Sequence, residues 1–529
     1  MSQFVIDNNL AKLASCYEDV SEVPAEAPYS LARVTAAGIV LTCPEGRLSI
    51  LKLIGDNRRL ICSGVLAPGA AECLEQAGVI WINADPESAS RLSVLEEGLC
   101  AVQTALAMEA MTLGISSGVD LDMCYHAISG AAGASWSFQH MVPELLQPER
   151  ADGTRSLDTE IESLHRLTSL AGQYKTSLPV AALAKQIYQQ AISRHSPTAS
   201  CACLATIHPT KRTTREEGAE RNILNLETVM PSKVAFVGLG AMGLGMAKVL
   251  NNKRFNVVGY DVCGPSRENF RLAGGRTAET LDECLEDSDV LVLMVVNARQ
   301  VEQALFETGA ADSLSRDATV ILMSTVAPYE AEAIAAKLSL VRPDVTLLDS
   351  PVSGGTPRAA TGDLTILCAG LDLSSEKPLA VLKALSGSQG HPDNLVFVPG
   401  PPGKAASVKL VNQHLAGSHI ITVAETLALA SSVGLPLATF RSVVLEGPAW
   451  SWMLGHRGQN MLNGLIKPPT STVEIFIKDM GIVVQQAWTD GVGVPLAATV
   501  QQLFTAGQSQ GWGGDDDSSI VRLWKPKGL

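Results

Sequence analysis

The chain has 529 residues, enough for about three or four domains, and 46% of them are hydrophobic, so it can bury several cores. Its net charge of −14 argues against a nucleic-acid partner, because phosphate binding requires clustered lysine and arginine. There is no signal or transit peptide pattern, the strongest apolar run (residues 290–296) is too short to cross a bilayer, and the 11 cysteines lack metal-ligand spacing. We therefore expect a cytoplasmic protein with reduced thiols and neither a membrane nor a metal partner.

In chain order, the N-terminal part of the sequence predicts one helical domain and a linker. Residues 1–90 read as an N-terminal segment with a partial α/β region, and residues 91–193 read as a helical domain. Segment 194–231 mixes Ser, Thr, Pro and alternating charges, which is a composition typical of a linker between two domains.

A dinucleotide-binding fingerprint follows the linker, with a buried strand, three spaced glycines, a helix and a second strand in register. Gly238 permits a tight turn, Gly240 lets the backbone approach a pyrophosphate, and Gly243 lets the helix pack closely on the strand. The N–H groups at the helix N-terminus would bind the phosphates. Asp261 is placed to accept hydrogen bonds from the adenosine ribose, which favours NAD, although nearby Arg267 leaves NADP open.

Residues 232–400 alternate apolar, β-branched runs with helical segments, which predicts a parallel sheet. The predicted strands are residues 234–238, 257–261, 290–296, 319–325, 345–350, 364–370 and 395–399. From about residue 404 the pattern changes to long helices, such as 405–433 and 473–490. The expected fold is therefore an α/β, Rossmann-type domain over 232–400 and an all-α domain over 401–529.

The sequence also repeats itself at a constant offset of 316 residues. Matching pairs are Glu109 and Glu425, Leu113 and Leu429, Ser135 and Ser451, Trp136 and Trp452, Pro179 and Pro495, and Gln186 and Gln502. The register continues upstream, where residues 46–51 and 79–82 fall on 362–367 and 395–398. Residues 232–348 have no upstream equivalent, so we expect a degenerate N-terminal copy that lacks the dinucleotide fold.

Five motifs in the second half resemble those of a known enzyme family. They are residues 238–243 (GLGAMG), 323–328 (MSTVAP), 349–355 (DSPVSGG), Gly403 with Lys409, Asn412 and Gln413, and 476–480 (FIKDM). Residues 232–529 resemble the β-hydroxyacid dehydrogenases, which include 3-hydroxyisobutyrate dehydrogenase, and residues 412–420 and 450–484 look most like the L-threonate dehydrogenase branch. The resemblance implies hydride transfer between a nicotinamide and a small hydroxy acid. It also implies a set of cofactor-contacting residues: Gly238, Gly240, Ala241, Met242, Gly243, Asp261, Val296, Asn297, Thr325 and Lys478.

Lys409 is the candidate general acid/base, because an amine that is desolvated beside a cofactor can have a lowered pKa. The alternative is a solvated surface lysine, which is the usual environment of this residue. Asn412 and Gln413 lie one turn further along the same helix and can point into the same site. The family usually has an asparagine where Gln413 stands, so the longer amide should change how the substrate is held.

Ser353, Gly354 and Gly355 follow a strand, and their open N–H groups and hydroxyl can hold a substrate carboxylate; the alternative is a plain turn. Thr325 resembles the cofactor-contacting threonine of the family, and it could also cap the helix before Pro328. Lys478 resembles a family lysine near the nicotinamide, with Asp479 orienting it; exposed surface charge is the alternative.

The first copy lacks this chemistry. Lys409 falls on Ser93, the two amides fall on Glu96 and Glu97, and the 478–479 pair falls on Glu162 and Ser163. We therefore expect no NAD binding and no catalysis in the first half. Its helical domain should instead pair with 401–529 in an intrachain pseudo-dimer, and homo-oligomers remain open.

The leading functional hypothesis is an NAD(P)-dependent dehydrogenase of a threonate-like or 3-hydroxyisobutyrate-like acid. One alternative is a reductase of a semialdehyde or another carbonyl or imine on the same fold; Lys409 counts against imine reduction. A further alternative is a non-catalytic, NAD-binding scaffold protein, against which Lys409 and Ser353 also count.

Overall fold

The computed structural model describes residues 87–147, 155–206, 228–307, 310–371, 376–387, 394–464 and 467–525, together with the backbone of five strands between residues 30 and 82. These strands are β1 (Ser30–Thr35), β2 (Gly38–Thr42), β3 (Leu48–Ile54), β4 (Arg59–Gly64) and β5 (Ile80–Ile82). They form one sheet in chain order, antiparallel except for the parallel pair β4 and β5. The repeated apolar segments 46–51 and 79–82 overlap β3 and β5.

A helical domain follows the first sheet, as predicted. Its helices are α1 (Ser88–Ser116), α2 (Leu121–Ser129), α3 (Trp136–Leu146), α4 (Leu157–Gln173) and α5 (Pro179–Ile192). Helix α1 is buried on all its faces along most of its length, which is typical of a helix inside a core. By length and composition it could cross a bilayer, but its most apolar stretch is entirely buried within the protein, as in the core helix of a globular domain.

The predicted linker 194–231 begins later than expected. Residues Cys201–Thr206 form a 3-10 helix that packs against α1, with Cys201 and Ala205 fully buried. Small apolar side chains at these positions fill the helical core, a role that the Ser- and Thr-rich composition concealed. Residues 207–227 lie outside the described part of the chain.

The second half opens with a six-stranded parallel sheet in the order β11-β10-β9-β6-β7-β8. Its strands are β6 (Val234–Val237), β7 (Val257–Tyr260), β8 (Arg276–Thr277), β9 (Val290–Leu293), β10 (Thr319–Leu322) and β11 (Thr346–Asp349). The helices around it are α6 (Ala241–Asn252), α7 (Gly264–Leu272), α8 (Leu281–Leu285), α9 (Ala298–Glu302) and α10 (Pro328–Val341). Strand β6 lies centrally, and the strand order reverses on either side of it, so the Rossmann-type prediction is confirmed.

One detail of the sheet prediction is wrong. The strands predicted at 364–370 and 395–399 do not extend the large sheet; they pair in a separate three-stranded sheet. Its members are β12 (Val352–Ser353), β13 (Thr365–Cys368) and β14 (Leu395–Phe397), accompanied by helices α11 (Gly355–Thr361) and α12 (Glu376–Leu385). Strand β12 follows β11 after two residues, and β13 runs antiparallel to β12 and bridges to Asp349 at the end of β11, so β13 does not add to the large sheet in parallel.

The C-terminal domain is helical, as predicted. It contains α13 (Lys404–Ser432), α14 (Leu437–Leu445), α15 (Trp452–Asn463), α16 (Val473–Thr489), α17 (Pro495–Ser509) and a 3-10 helix at Asp517–Trp524. Helix α13 is buried along nearly its whole length and packs against α1 of the first half. Both long helices therefore share one hydrophobic core.

Reciprocal contacts join the two halves at positions 316 residues apart. The Glu109 carboxylate accepts the N–H groups of Leu496 and Ala497 at 3.0 and 2.9 Å. In the opposite direction, Glu425 accepts those of Val180 and Ala181 at 2.8 and 3.4 Å.

Ser135 and Ser451, which are also 316 residues apart, form an antiparallel bridge between the two halves. The N–H of Trp136 donates to the Trp450 carbonyl at 3.0 Å, and that of Trp452 donates to the Ala134 carbonyl at 2.9 Å. The two helical domains are therefore related by a local twofold arrangement.

Candidate active site

The glycine turn between β6 and α6 is shaped for close backbone approach. Gly238 has φ of +99°, and a Cβ there would lie 2.2 Å from the Met294 carbonyl oxygen. A Cβ at Gly243 would lie 1.8 Å from the Gly238 carbonyl oxygen. Gly240, at the N-cap of α6, is exposed, with no atom within 4 Å of an added Cβ. Gly238 and Gly243 have no room for a side chain because the backbone packs closely there, whereas Gly240 faces open space where a pyrophosphate would lie. These residues therefore fit a dinucleotide.

Asp261 ends β7 beside this turn. Its Oδ2 accepts the Leu239 N–H at 2.7 Å and its Oδ1 accepts the Cys263 N–H at 2.8 Å, which fixes the partly exposed carboxylate. The Arg267 guanidinium donates to the Asp261 carbonyl at 2.6 Å and pairs with Glu279 at 3.2 Å. Arg267 is therefore already engaged by acceptors within the protein.

The remaining predicted cofactor residues lie at the carboxyl ends of neighbouring strands or at the start of α6. Ala241 and Met242 open α6, and Val296 is exposed after β9. Asn297 caps α9 by accepting the N–H of Gln300 at 3.0 Å. Thr325 follows β10, and the N-cap of α10 is Ala327, so the structure gives Thr325 no capping role.

A buried carboxylate connects the large sheet to α13. Asp349, at the end of β11, is fully buried, and its Oδ2 accepts the N–H groups of Gly403 and Ala406 at 2.9 and 2.8 Å. Burial raises the Asp349 pKa to about 6, and the two N–H donors oppose that rise. Asp349 thus satisfies the first N–H groups of α13 from another domain and fixes where this helix begins.

Lys409 lies in the second turn of α13 and is only 6% exposed, so it is not a solvated surface lysine. Burial lowers its pKa from 10.5 to about 8; the Asp479 carboxylate opposes this shift and the Lys478 ammonium adds to it. Among the described residues, no hydrogen-bond acceptor engages the Lys409 amine. The group is therefore desolvated, and its lowered pKa lets it exchange a proton near physiological pH.

Beside Lys409, polar contacts connect four side chains: those of Asn412, Gln413, Asp479 and Lys478. The Asn412 amide donates to Gln413 Oε1 at 3.1 Å, and the Gln413 amide donates to Asp479 Oδ2. Lys478 Nζ lies 2.9 Å from Asp479 Oδ1. It also donates to the Thr325 carbonyl oxygen of the other domain at 3.3 Å. The structure thus brings together Asn412, Gln413, Lys478, Asp479 and Thr325.

The Ser353 turn is partly exposed at the end of β12. Gly354 and Gly355 have φ of +134° and +67°, conformations that favour glycine. Among the described residues, no hydrogen bond joins the Ser353 side chain to the Lys409 group, so direct contact does not connect the two predicted parts of the site.

The equivalent place in the first half holds an ion pair. Ser93 donates to Glu97 Oε1 at 2.5 Å, and Arg166 contacts Glu97 Oε2 at 2.5 Å. Glu162 lies 4.0 Å from the same guanidinium. A carboxylate–guanidinium cluster therefore lies at the positions 316 residues before those of the candidate site.

Three contributors to the site were missed from the sequence. Asp349 lay within a recognised motif, but its role depends on β11 meeting α13. Glu109 appeared only as a repeat match, although it also lies 2.9 Å from buried His414. The Gly133 N–H donates to Asn412 Oδ1 at 3.0 Å, and no local sequence signal indicates that contact.

Comparison with known proteins agrees with this geometry. Residues 233–397 match the model of the NAD binding domain of 6-phosphogluconate dehydrogenase. The model described as NAD-binding of NADP-dependent 3-hydroxyisobutyrate dehydrogenase matches twice, at 92–204 and 403–524. Both helical segments therefore carry the same domain pattern.

Individual relatives align with little more than half of the chain but with nearly all of their own length. L-threonate dehydrogenase of Escherichia coli K12 is 35% identical over 293 residues, 55% of this chain and 94% of that enzyme. L-threonate dehydrogenase of Pectobacterium atrosepticum is 37% identical over 294 residues, covering 55% and 93%.

Solved structures show the same coverage. 3-Hydroxyisobutyrate dehydrogenase from Salmonella typhimurium is 34% identical, with a TM-score of 0.50, over 55% of this chain and 99% of that one. The Mycobacterium tuberculosis enzyme of the same name, at 20% identity and a TM-score of 0.50 over 56% of this chain and 99% of that one, shares the fold. The chain therefore belongs to the β-hydroxyacid dehydrogenase family of NAD(P)-dependent oxidoreductases that act on CH–OH groups.

Proposed function

We propose that the second half oxidises a small hydroxy acid of the L-threonate type, with Lys409 as the general base. The observation that carries this proposal is the Lys409 amine, buried, without an internal hydrogen-bond acceptor among the described residues and with a pKa near 8. In oxidation, the substrate hydroxyl proton moves to Lys409 Nζ while the C–H bond of the same carbon breaks. A bound nicotinamide supplies the acceptor for that hydride.

The neighbouring side chains have separate roles in this proposal. Ser353, Gly354 and Gly355 bind the substrate carboxylate, because their backbone conformation leaves N–H groups and a hydroxyl available without a cation. Asn412 and Gln413 hold the hydroxyl groups of the substrate. Lys478, anchored between Asp479 and the Thr325 carbonyl, lies between the two domains, where the nicotinamide would enter.

NAD is the proposed cofactor rather than NADP. The Asp261 carboxylate is held by two N–H groups at the end of β7, where an acid accepts the ribose hydroxyls and repels a 2′-phosphate. Arg267, the candidate phosphate ligand, pairs instead with Glu279.

A carbonyl reductase is the second candidate. A relative named 2-hydroxy-3-oxopropionate reductase, from Escherichia coli K12, is 29% identical over 55% of this chain and 96% of that enzyme. The same lysine, when protonated, returns a proton to a carbonyl oxygen, so the site serves both directions. The non-catalytic scaffold is disfavoured by the desolvated Lys409 amine, because burying this group costs stability and a scaffold has no need of it.

We also propose that the first half is a degenerate copy which converts one polypeptide into a pseudo-dimer with one working site. Support comes from the reciprocal Glu109 and Glu425 contacts and from the family model that matches both helical segments. Deleting residues 1–193 exposes the apolar face of α13, so we expect aggregation or a new homodimer. A monomeric, fully active 229–529 fragment would refute the pseudo-dimer.

The substrate proposal is tested by measuring NADH formation with L-threonate, D-erythronate, D-glycerate and 3-hydroxyisobutyrate, with NADP as the alternative cofactor. We expect turnover of one acid with NAD. Turnover of none of these acids, despite tight NAD binding, would shift the assignment to a reductase or to the scaffold protein. Fractionation of the native host tests the cytoplasmic location that we infer from the sequence.

A further inference from the structure

Among the described residues, a backbone amide of the first half, that of Gly133, donates to a side chain of the candidate active site. Gly133 lies in the turn before α3, is buried, and donates its N–H to Asn412 Oδ1 at 3.0 Å. Its position is set by the adjacent bridge between halves, in which the N–H of Trp452 donates to the Ala134 carbonyl at 2.9 Å. A Cβ at Gly133 would lie 3.0 Å from the Asn412 carbonyl oxygen, so this turn fits tightly against α13.

This contact fixes the orientation of two side-chain amides. A backbone N–H can only donate, so the atom of Asn412 that faces Gly133 must be the oxygen. The Asn412 NH₂ group then faces Gln413, whose oxygen accepts at 3.1 Å. The Gln413 NH₂ group is thereby turned toward Asp479, which accepts its hydrogen bond.

We propose that the Gly133 amide is a positioning group for catalysis: through the fixed Asn412 and Gln413 amides, it maintains the hydrogen bond to Asp479. This inference rests on the proposed role of Lys409. The first half then has a function beyond covering an apolar face, because it controls the electrostatics around Lys409.

The consequence is a change in the charge felt by Lys409. The charges that act on its amine are Asp479 and Lys478, both on α16; Glu109, His414 and Asp349, also packed along α13, engage other partners. Without the Gly133 N–H, Asn412 and Gln413 can rotate, and Asp479 loses a donor. Asp479 keeps its ion pair with Lys478 but loses the amide that screens its charge, so it favours the protonated Lys409 amine more strongly and the Lys409 pKa rises.

Four variants of the full-length protein test the inference. Gly133→Pro removes the N–H and adds a Cβ, whereas Gly133→Ala adds the Cβ alone. Asn412→Leu breaks the connection without adding charge and decides the outcome if Gly133→Pro does not fold. Gln103→Met is the control, because it removes another hydrogen bond between the halves, from Gln103 to the Ala449 carbonyl at 3.0 Å.

Two readouts are compared. The first is the pH at which kcat for alcohol oxidation is half-maximal. The second, in cofactor-free protein, is the pH dependence of Lys409 acetylation by trace acetic anhydride, measured by peptide mass spectrometry. For Gly133→Pro and Asn412→Leu we expect both midpoints to rise by about one pH unit. For Gly133→Ala, which keeps the N–H but places a Cβ 3.1 Å from Asn412 Oδ1, we expect a smaller rise, and for Gln103→Met we expect no shift.

Unchanged midpoints in Asn412→Leu would overturn the inference. An equal shift in Gly133→Ala and Gly133→Pro would also overturn it, because the added Cβ rather than the lost N–H would then be the cause. If the wild-type protein oxidises none of the acids, the proposed function fails, while the acetylation midpoints still decide the role of Gly133.

Discussion

The pH dependence of the reaction follows from the environment of Lys409. Burial lowers its pKa from 10.5 to about 8. At pH 7 the neutral amine is then about 9% of the population rather than about 0.03%, a gain of roughly 300-fold in available base. Oxidation requires the neutral amine, so its rate rises with pH through about 8. Carbonyl reduction requires the protonated amine, so its rate falls over the same interval.

The perturbation is Lys409→Met, which keeps the length and apolar stem of the side chain. Loss of a positioned general base lowers the rate by about 10²- to 10⁴-fold, with cofactor affinity unchanged. Lys404→Met is the matched control: Lys404 also lies on α13, but it donates to the Ser117 carbonyl at 2.9 Å, away from the site.

The assay is kcat for oxidation and for reduction from about pH 6.5 to 9.5, with NAD affinity measured separately by fluorescence. A rate that does not vary with pH over this interval, or a Lys409→Met enzyme as fast as Lys404→Met, would refute the assignment of the base.

Three further predictions concern the cofactor turn and the contact between halves. Asp261→Ala should weaken NAD binding by about tenfold and leave NADP binding unweakened, measured as the ratio of the two KM values; an unchanged ratio would contradict the role of the carboxylate. Gly243→Ala should abolish NAD binding in a titration, because the new Cβ would lie 1.8 Å from the Gly238 carbonyl oxygen; retained affinity would exclude this turn as the phosphate site. Glu109→Ala should lower the melting temperature by several degrees, because it leaves the buried N–H groups of Leu496 and Ala497 without their acceptor, at a cost of about 1–3 kcal/mol each; a melting temperature equal to wild type would contradict that reasoning.

The sequence predicts best what is determined locally. The spacing of Gly238, Gly240 and Gly243 and the apolar run before them are sufficient for the cofactor turn, because a strand, a turn and a helix form within 20 or so residues. The long helices α13 and α16 are predicted equally well, since apolar residues recur along their whole length.

Features that depend on distant segments could not be predicted. Asp349 becomes a helix anchor only when β11 meets α13, and Gly133 reaches Asn412 only when the two halves associate. The pairing of β13 in a separate sheet could not be predicted either, because a short apolar run does not specify which strand it pairs with. The polar residues around Cys201 and Ala205 predict a linker. In the structure both side chains are fully buried, and this burial depends on contact with a distant helix.

Because α1 and α13 pack together within one polypeptide, their contact responds to dilution and to mutation differently from the same contact in a homodimer. In a homodimer the equivalent contact is lost at low protein concentration, whereas a covalently connected pair has a fixed effective concentration. A substitution in a homodimer also appears on both sides of the axis. In the proposed pseudo-dimer, Ser93 and Lys409 correspond to each other and vary independently, so one side can hold an ion pair while the other retains a buried amine.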